Sequence, residues 1–72
     1  MKTTKAEAIL LMRDELDEHS CLNKTDFLAK IDISSLTFNR YMSEIRCYLA
    51  NFRPDEQVIY RKSDGLYHLL KN

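Results

Sequence analysis

A chain of 72 residues, 44% hydrophobic and 31% charged, can build one small core and has no length left for a second. One glycine and one proline exclude a low-complexity linker, and the absence of a long apolar run excludes a membrane span. Eleven Lys and Arg against eleven Asp and Glu give zero net charge, which excludes a strongly basic nucleic-acid coat protein. The opening Met1-Lys2-Thr3-Thr4-Lys5 leads into an amphipathic pattern and not a signal peptide, so a cytoplasmic protein is expected. Cys21 and Cys47 form neither a CxxC pair nor a metal-ligand set; reduced thiols are the expectation, with a disulfide between them the lesser alternative. The charge is unevenly placed. Residues 1–33 hold five bases and seven acids, net −2, and residues 34–72 hold six and four, net +2.

The first expected helix runs over about residues 4–18. Thr3 or Thr4 can cap it, and Glu7 stands three residues after Thr4 in capping-box spacing. Ala6, Ile9, Leu10, Met12 and Leu16 mark its apolar face. Asp14, Glu15, Asp17 and Glu18 crowd its end, where the macrodipole favours cations, so tertiary packing has to hold it. His19 to Asn23 has no helical period and reads as a connector, with two or three residues extended. A short second helix is expected over about 25–31, capped by Thr25, with Asp26 in its first turn and Phe27, Leu28 and Ile31 turned inward.

After a turn at Asp32-Ile33, Ser34 caps a third helix that runs to about residue 51, before Arg53-Pro54 stops it. Phe38, Met42, Ile45, Leu49 and Phe52 recur every three or four residues and predict a buried stripe. The other face carries Ser35, Leu36, Asn39, Arg40, Ser43 and Arg46. Hydroxyls, an amide and guanidiniums are the groups that bond to base edges and phosphates in a major groove.

Beyond Pro54 the period changes to two. Residues 57–62 and 66–70 flank Ser63-Asp64-Gly65, and the Asp-Gly pair is a hairpin signal, so a two-stranded ribbon is expected over about 57–70. Ile59, Tyr67 and Leu69 are its expected inward residues. The whole chain, 1–72, then reads as one α+β domain: a winged helix-turn-helix with a three-helix core and a C-terminal β-hairpin wing.

Thr25-Asp26-Phe27-Leu28, Ile31-Asp32-Ile33-Ser34, and Thr37-Phe38-Asn39-Arg40-Tyr41-Met42 with Ile45 resemble the helix-turn-helix signature of bacterial DeoR-type regulators. The run is also similar to the related domains of Mga-type and BglG-type regulators, and Gly65-Leu66-Tyr67-His68-Leu69 resembles the segment that ends the wing there. The resemblance covers most of residues 25–70. It implies sequence-specific binding to double-stranded DNA by a transcriptional regulator, or by the N-terminal domain of one, with residues 34–51 in the major groove.

The DNA-contact residues expected on this reading are Lys24, Thr25, Ser35, Leu36, Thr37, Asn39, Arg40, Ser43, Arg46, Arg61 and Lys62. Arg40 leads the set, since it can pair bidentately with guanine or clamp a phosphate. Its plainer alternative is a surface pair with Glu44 at i+4. Ser35 to Thr37 can hold a phosphate at the helix N-terminus, although capping alone explains the serines. Arg61 and Lys62 flank the hairpin turn, with a charged strand edge as the competing explanation. His19 and His68 lack metal-ligand spacing, and no catalytic arrangement, cofactor pocket or small-molecule site is evident, so an enzyme is not expected. One reading helix seldom supplies enough affinity for a genomic site, so a homodimer or a longer parent chain is expected. The rival reading is a protein-interaction winged helix, an anti-repressor or adaptor that does not touch DNA, and zero net charge is its support.

Overall fold

The computed structural model describes residues 3–71; Met1, Lys2 and Asn72, the ends of the expected 1–72 domain, lie outside the described residues. Helix α1 (Lys5–His19) starts at a reciprocal capping box. The Glu7 N–H donates to Thr4 Oγ1 at 3.2 Å, and the Thr4 N–H donates to Glu7 Oε1 at 3.0 Å. These bonds to Thr4 hold the Glu7 carboxyl below its ordinary value. The helix ends at Ser20, which takes the left-handed conformation at φ 58° and donates its N–H to the Leu16 carbonyl. The Ser20 carbonyl accepts from the Leu69 N–H at 2.9 Å, which ties the helix end to the sheet.

The expected connector contains a two-residue strand, β1 (Cys21–Leu22). Helix α2 (Lys24–Lys30) follows, then α3 (Ser35–Phe52), β2 (Glu56–Arg61) and β3 (Leu66–Lys71). The three strands form one antiparallel sheet in the order β1-β3-β2. The chain is therefore α+β, as expected, with three helices and a three-stranded sheet. Among the described residues no helix is long and apolar enough to cross a membrane. Ser34 caps α3 as expected, its Oγ accepting from the Thr37 N–H at 3.0 Å.

The core joins Met12 and Leu16 of α1, Leu22, Phe27, four residues of α3 (Phe38, Met42, Ile45 and Leu49), and Val58 and Leu69 of the sheet. Each such side chain contributes roughly 1.5–3 kcal/mol relative to exposure. Phe38 sits at the centre, with Phe27 edge-on at 5.8 Å and Tyr67 at 5.6 Å between ring centroids. It is what fixes α3 against both α2 and the sheet.

Several expectations are corrected. The cap of α2 is Asn23 and not Thr25, because the Asn23 Oδ1 accepts from the Asp26 N–H at 3.0 Å, and the helix begins one residue earlier, at Lys24. The buried line of α1 is Ala8, Met12 and Leu16, at strict i, i+4 spacing; Ala6 and Leu10 lie further round the helix and are exposed. Phe52 belongs to the apolar stripe of α3 by spacing but is 71% exposed. The helix outruns the core at Leu49, and Phe52 stacks on Tyr48 instead, 5.5 Å between centroids.

In the hairpin, four residues, Lys62 to Gly65, separate Arg61 from its partner Leu66, with the Gly65 N–H closing on the Arg61 carbonyl at 2.9 Å. Gly65 takes φ +69°, a conformation that suits a residue without Cβ. This register pairs Val58 with Leu69 and Tyr60 with Tyr67, and these two pairs face the helices. Ile59 pairs with His68 on the opposite face, so Val58, and not Ile59, is the inward residue of β2. Both cysteines are free thiols.

Candidate nucleic-acid interface

The exposed side of α3 is set by its buried side. With Phe38, Met42, Ile45 and Leu49 inward, Leu36, Arg40, Ser43 and Cys47 fall on the opposite side of the cylinder, and all four are exposed. Arg40 has no ion pair or hydrogen bond among the described residues. The Glu44 carboxylate, the partner that would have explained Arg40 as a surface pair, is held by Lys5 of α1 at 3.0 Å. The guanidinium therefore stands free in the middle of the outward face.

On one flank of this face, toward the sheet, the structure brings the expected residues into a connected surface. Lys24 Nζ donates to Asn39 Oδ1 at 2.9 Å and lies 5.4 Å above the Phe38 ring. The start of α2 is thus fastened to the second turn of α3. Asn39 has its amide oxygen engaged and its amide N–H₂ free to donate. Arg46 lies 5.9 Å from the centroid of Tyr67, which in turn packs on Tyr60 at 5.0 Å. A cation over an aromatic face gains roughly 0.5–1 kcal/mol at an exposed site. The contact orients Arg46 along the seam between α3 and the hairpin.

At the N-terminus of α3, Ser35 and Leu36 are exposed, while Thr37 is half-buried and its Oγ1 accepts from the Ser34 hydroxyl at 2.9 Å. Thr37 is thereby part of the cap, and Ser35 and Leu36 are the free side chains of that turn. Thr25 is exposed in the first turn of α2, next to Lys24. Arg61 and Lys62 are exposed at the hairpin tip. Asp64 shares that tip: its Oδ1 accepts from the Leu66 N–H at 3.0 Å and its Oδ2 lies 2.8 Å from His68 Nε2. Desolvation against the hairpin raises the Asp64 carboxyl, but the Leu66 N–H, the His68 ring and the Arg61 charge outweigh it and leave the group below its ordinary value.

Lys24, Asn39, Arg40, Ser43 and Arg46 thus lie on one face of α3 or beside it, and Arg61 and Lys62 stand apart on the ribbon. Three residues belong to this surface that the sequence reading passed over. Cys47 is legible from its i+4 spacing to Ser43. Tyr60 and Tyr67 depend on the strand register, which only the four-residue turn defines. Among the described residues no group of three His, Cys, Asp or Glu side chains comes together to hold a metal ion.

No protein-family model, curated protein or solved structure matches the chain. The chemistry of the surface itself is what bears on function.

Proposed function

We propose that the chain is a winged helix-turn-helix reader of double-stranded DNA, serving as a bacterial transcriptional regulator or as the DNA-binding part of one. On this reading α2 and α3 form the helix-turn-helix, the β2–β3 hairpin is the wing, and α3 lies in the major groove. The observation that carries the proposal is the free Arg40. It is exposed at the centre of the outward face of α3, with Ser43 beside it and its potential acidic neighbour drawn away by Lys5.

A guanidinium in that position can form two parallel hydrogen bonds to guanine O6 and N7, the most common specific contact in a major groove. Leu36, one turn before Arg40, presents an apolar group suited to a thymine methyl, and the free N–H₂ of Asn39 can donate to a base or a phosphate. Lys24 and Arg46 lie along the sheet-side flank of the helix and would neutralise phosphates on that side of the groove. Arg61 and Lys62 would meet the backbone next to it, and Asp64 limits how closely the hairpin tip approaches. With a neutral chain, affinity has to come from these placed cations and not from bulk charge.

The test is a titration of isotope-labelled protein with a short duplex at low salt, read by amide chemical shifts. The proposal predicts that the largest shifts fall on residues 35–47 and on the hairpin around 60–65. Absence of any shift, or shifts centred on α1, would refute it. The first outcome would favour the protein-interaction reading, to which the exposed Leu36 also lends support.

A further inference from the structure

The contact between the start of α2 and the second turn of α3 fixes the direction of one amide. Lys24 Nζ donates to Asn39 Oδ1 at 2.9 Å, and the same ammonium lies 5.4 Å from the centroid of the Phe38 ring. Which end of the amide meets Lys24 follows from chemistry. An ammonium has three donors and no acceptor, so only the oxygen can face it. The N–H₂ end of Asn39 is left without a partner among the described residues, on a side chain that is exposed. We infer that Lys24 is a positioning residue for base recognition: it holds Asn39 as a donor, so that the base facing Asn39 is read as guanine and rejected as cytosine.

The inference rests on the DNA-reading proposal and names the base that one part of that surface selects. At about 100° per residue, Ser43 falls between Asn39 and Arg40 round the helix, so Asn39 borders the outward face. When the groove closes over it, the oxygen already has its hydrogen bond and the N–H₂ does not. An unpaired donor taken out of water is costly, so the N–H₂ requires an acceptor. Guanine presents two, O6 and N7, whereas the major-groove edge of cytosine presents only the N4–H₂ donor. Without Lys24 the amide can turn over and offer its oxygen to cytosine instead.

Lys24 is itself held at two points, by Asn39 and by the Phe38 ring, and Phe38 is fully buried. The ammonium keeps two further N–H donors, which can meet a phosphate while the third stays on Asn39. A backbone contact and a base contact are thus made by one connected pair of side chains. Holding a single side chain in its bound geometry before binding is worth about 2- to 10-fold in affinity. A lysine that met only phosphate would lower binding equally for all sequences when removed.

Selection of bound duplexes from a random pool by the intact chain, followed by competition between single-base variants of the selected site, tests the inference. The position read by Asn39 is the one at which Asn39→Ala loses its preference. There the wild type is expected to favour guanine over cytosine, and Lys24→Met is expected to reduce that ratio about 2- to 10-fold, beyond any uniform loss of affinity. Methionine keeps an unbranched stem against Phe38, and an unchanged far-ultraviolet circular dichroism spectrum verifies the fold. Arg61→Ala, at a backbone contact on the hairpin, is expected to weaken all sequences alike and leave the ratio unmoved. A wild type that favours cytosine there, a ratio unmoved by Lys24→Met, a ratio that Arg61→Ala moves as much, or an Asn39→Ala variant with every preference intact overturns the inference while leaving the DNA reading in place. A wild type that binds no duplex overturns the DNA reading, and the inference falls with it.

Discussion

Glu56, the first residue of β2, is the one charged residue buried among the described residues, 5% exposed, and its removal gives a sharp test of how the hairpin is held. Arg53 Nε donates to Glu56 Oε2 at 3.1 Å. Arg13 of α1 places Nη1 at 3.7 Å from Oε1, close enough for attraction and too far for a hydrogen bond, so both of those buried atoms lack a hydrogen-bond partner among the described residues. Breaking a buried ion pair by deleting one member costs about 3–5 kcal/mol, because the other charge is stranded. Here the cost is smaller, since the Arg13 side chain is 22% exposed and keeps Asp17 at 3.5 Å. We expect Glu56→Ala to destabilise the fold by about 2–3 kcal/mol, between the values for surface and buried pairs. In a domain this small that lowers Tm by roughly 10–20 °C. Arg53→Ala takes away the hydrogen bond to the buried Glu56 Oε2 and leaves that carboxylate without one among the described residues, so it should cost about 1–3 kcal/mol. The pair Arg13→Met with Glu56→Met should cost less than Glu56→Ala alone, because both desolvation penalties vanish together. Urea unfolding followed by circular dichroism measures all three variants. A Glu56→Ala variant within about 0.5 kcal/mol of wild type, the ordinary range for surface changes, would show that the cluster does not anchor the hairpin to α1.

Arg40→Ala should reduce specific duplex binding by about 1–3 kcal/mol, measured by fluorescence anisotropy, with unfolding unchanged because the side chain has no partner among the described residues. Ser34→Ala removes the acceptor for the Thr37 N–H and should cost about 1 kcal/mol in urea unfolding, with faster amide exchange in the first turn of α3; equal stability would deny the cap its role. The Asp64 carboxyl lies below its ordinary value in the fold, so its contribution is fully present above the unfolded carboxyl's pKa and is lost as pH falls through the folded value. Wild type should therefore be more stable than Asp64→Asn at pH 6, and the gap should close as pH falls below about 4. A gap independent of pH would contradict the assigned charge contacts.

The helices were legible because each carries its own local signal. The Thr4–Glu7 box, the Ser34 cap and the 3.6-residue stripe over Phe38, Met42, Ile45 and Leu49 all depend on neighbours in sequence. The features that were not legible depend on where an element stops packing. Phe52 continues the stripe, but nothing in its spacing reveals that the core ends at Leu49. Ile59 alternates correctly, yet its face depends on whether the turn holds three residues or four. The two or three extended residues expected between His19 and Asn23 are the two-residue strand β1, but its pairing with β3 is a long-range contact that no local pattern encodes. At the candidate site, Arg40 and Ser43 followed from helix periodicity. The coupling of Lys24 to Asn39 and the withdrawal of Glu44 by Lys5 are tertiary contacts between residues far apart in the chain.

Duplex binding as a function of salt tests the central claim most directly. If Lys24, Arg40, Arg46, Arg61 and Lys62 meet phosphates or bases as proposed, log K should fall linearly with log salt at a slope of roughly −3 to −5 per copy, following about −0.9 per neutralised phosphate. No detectable binding at about 50 mM salt, or a slope near zero, would contradict the account.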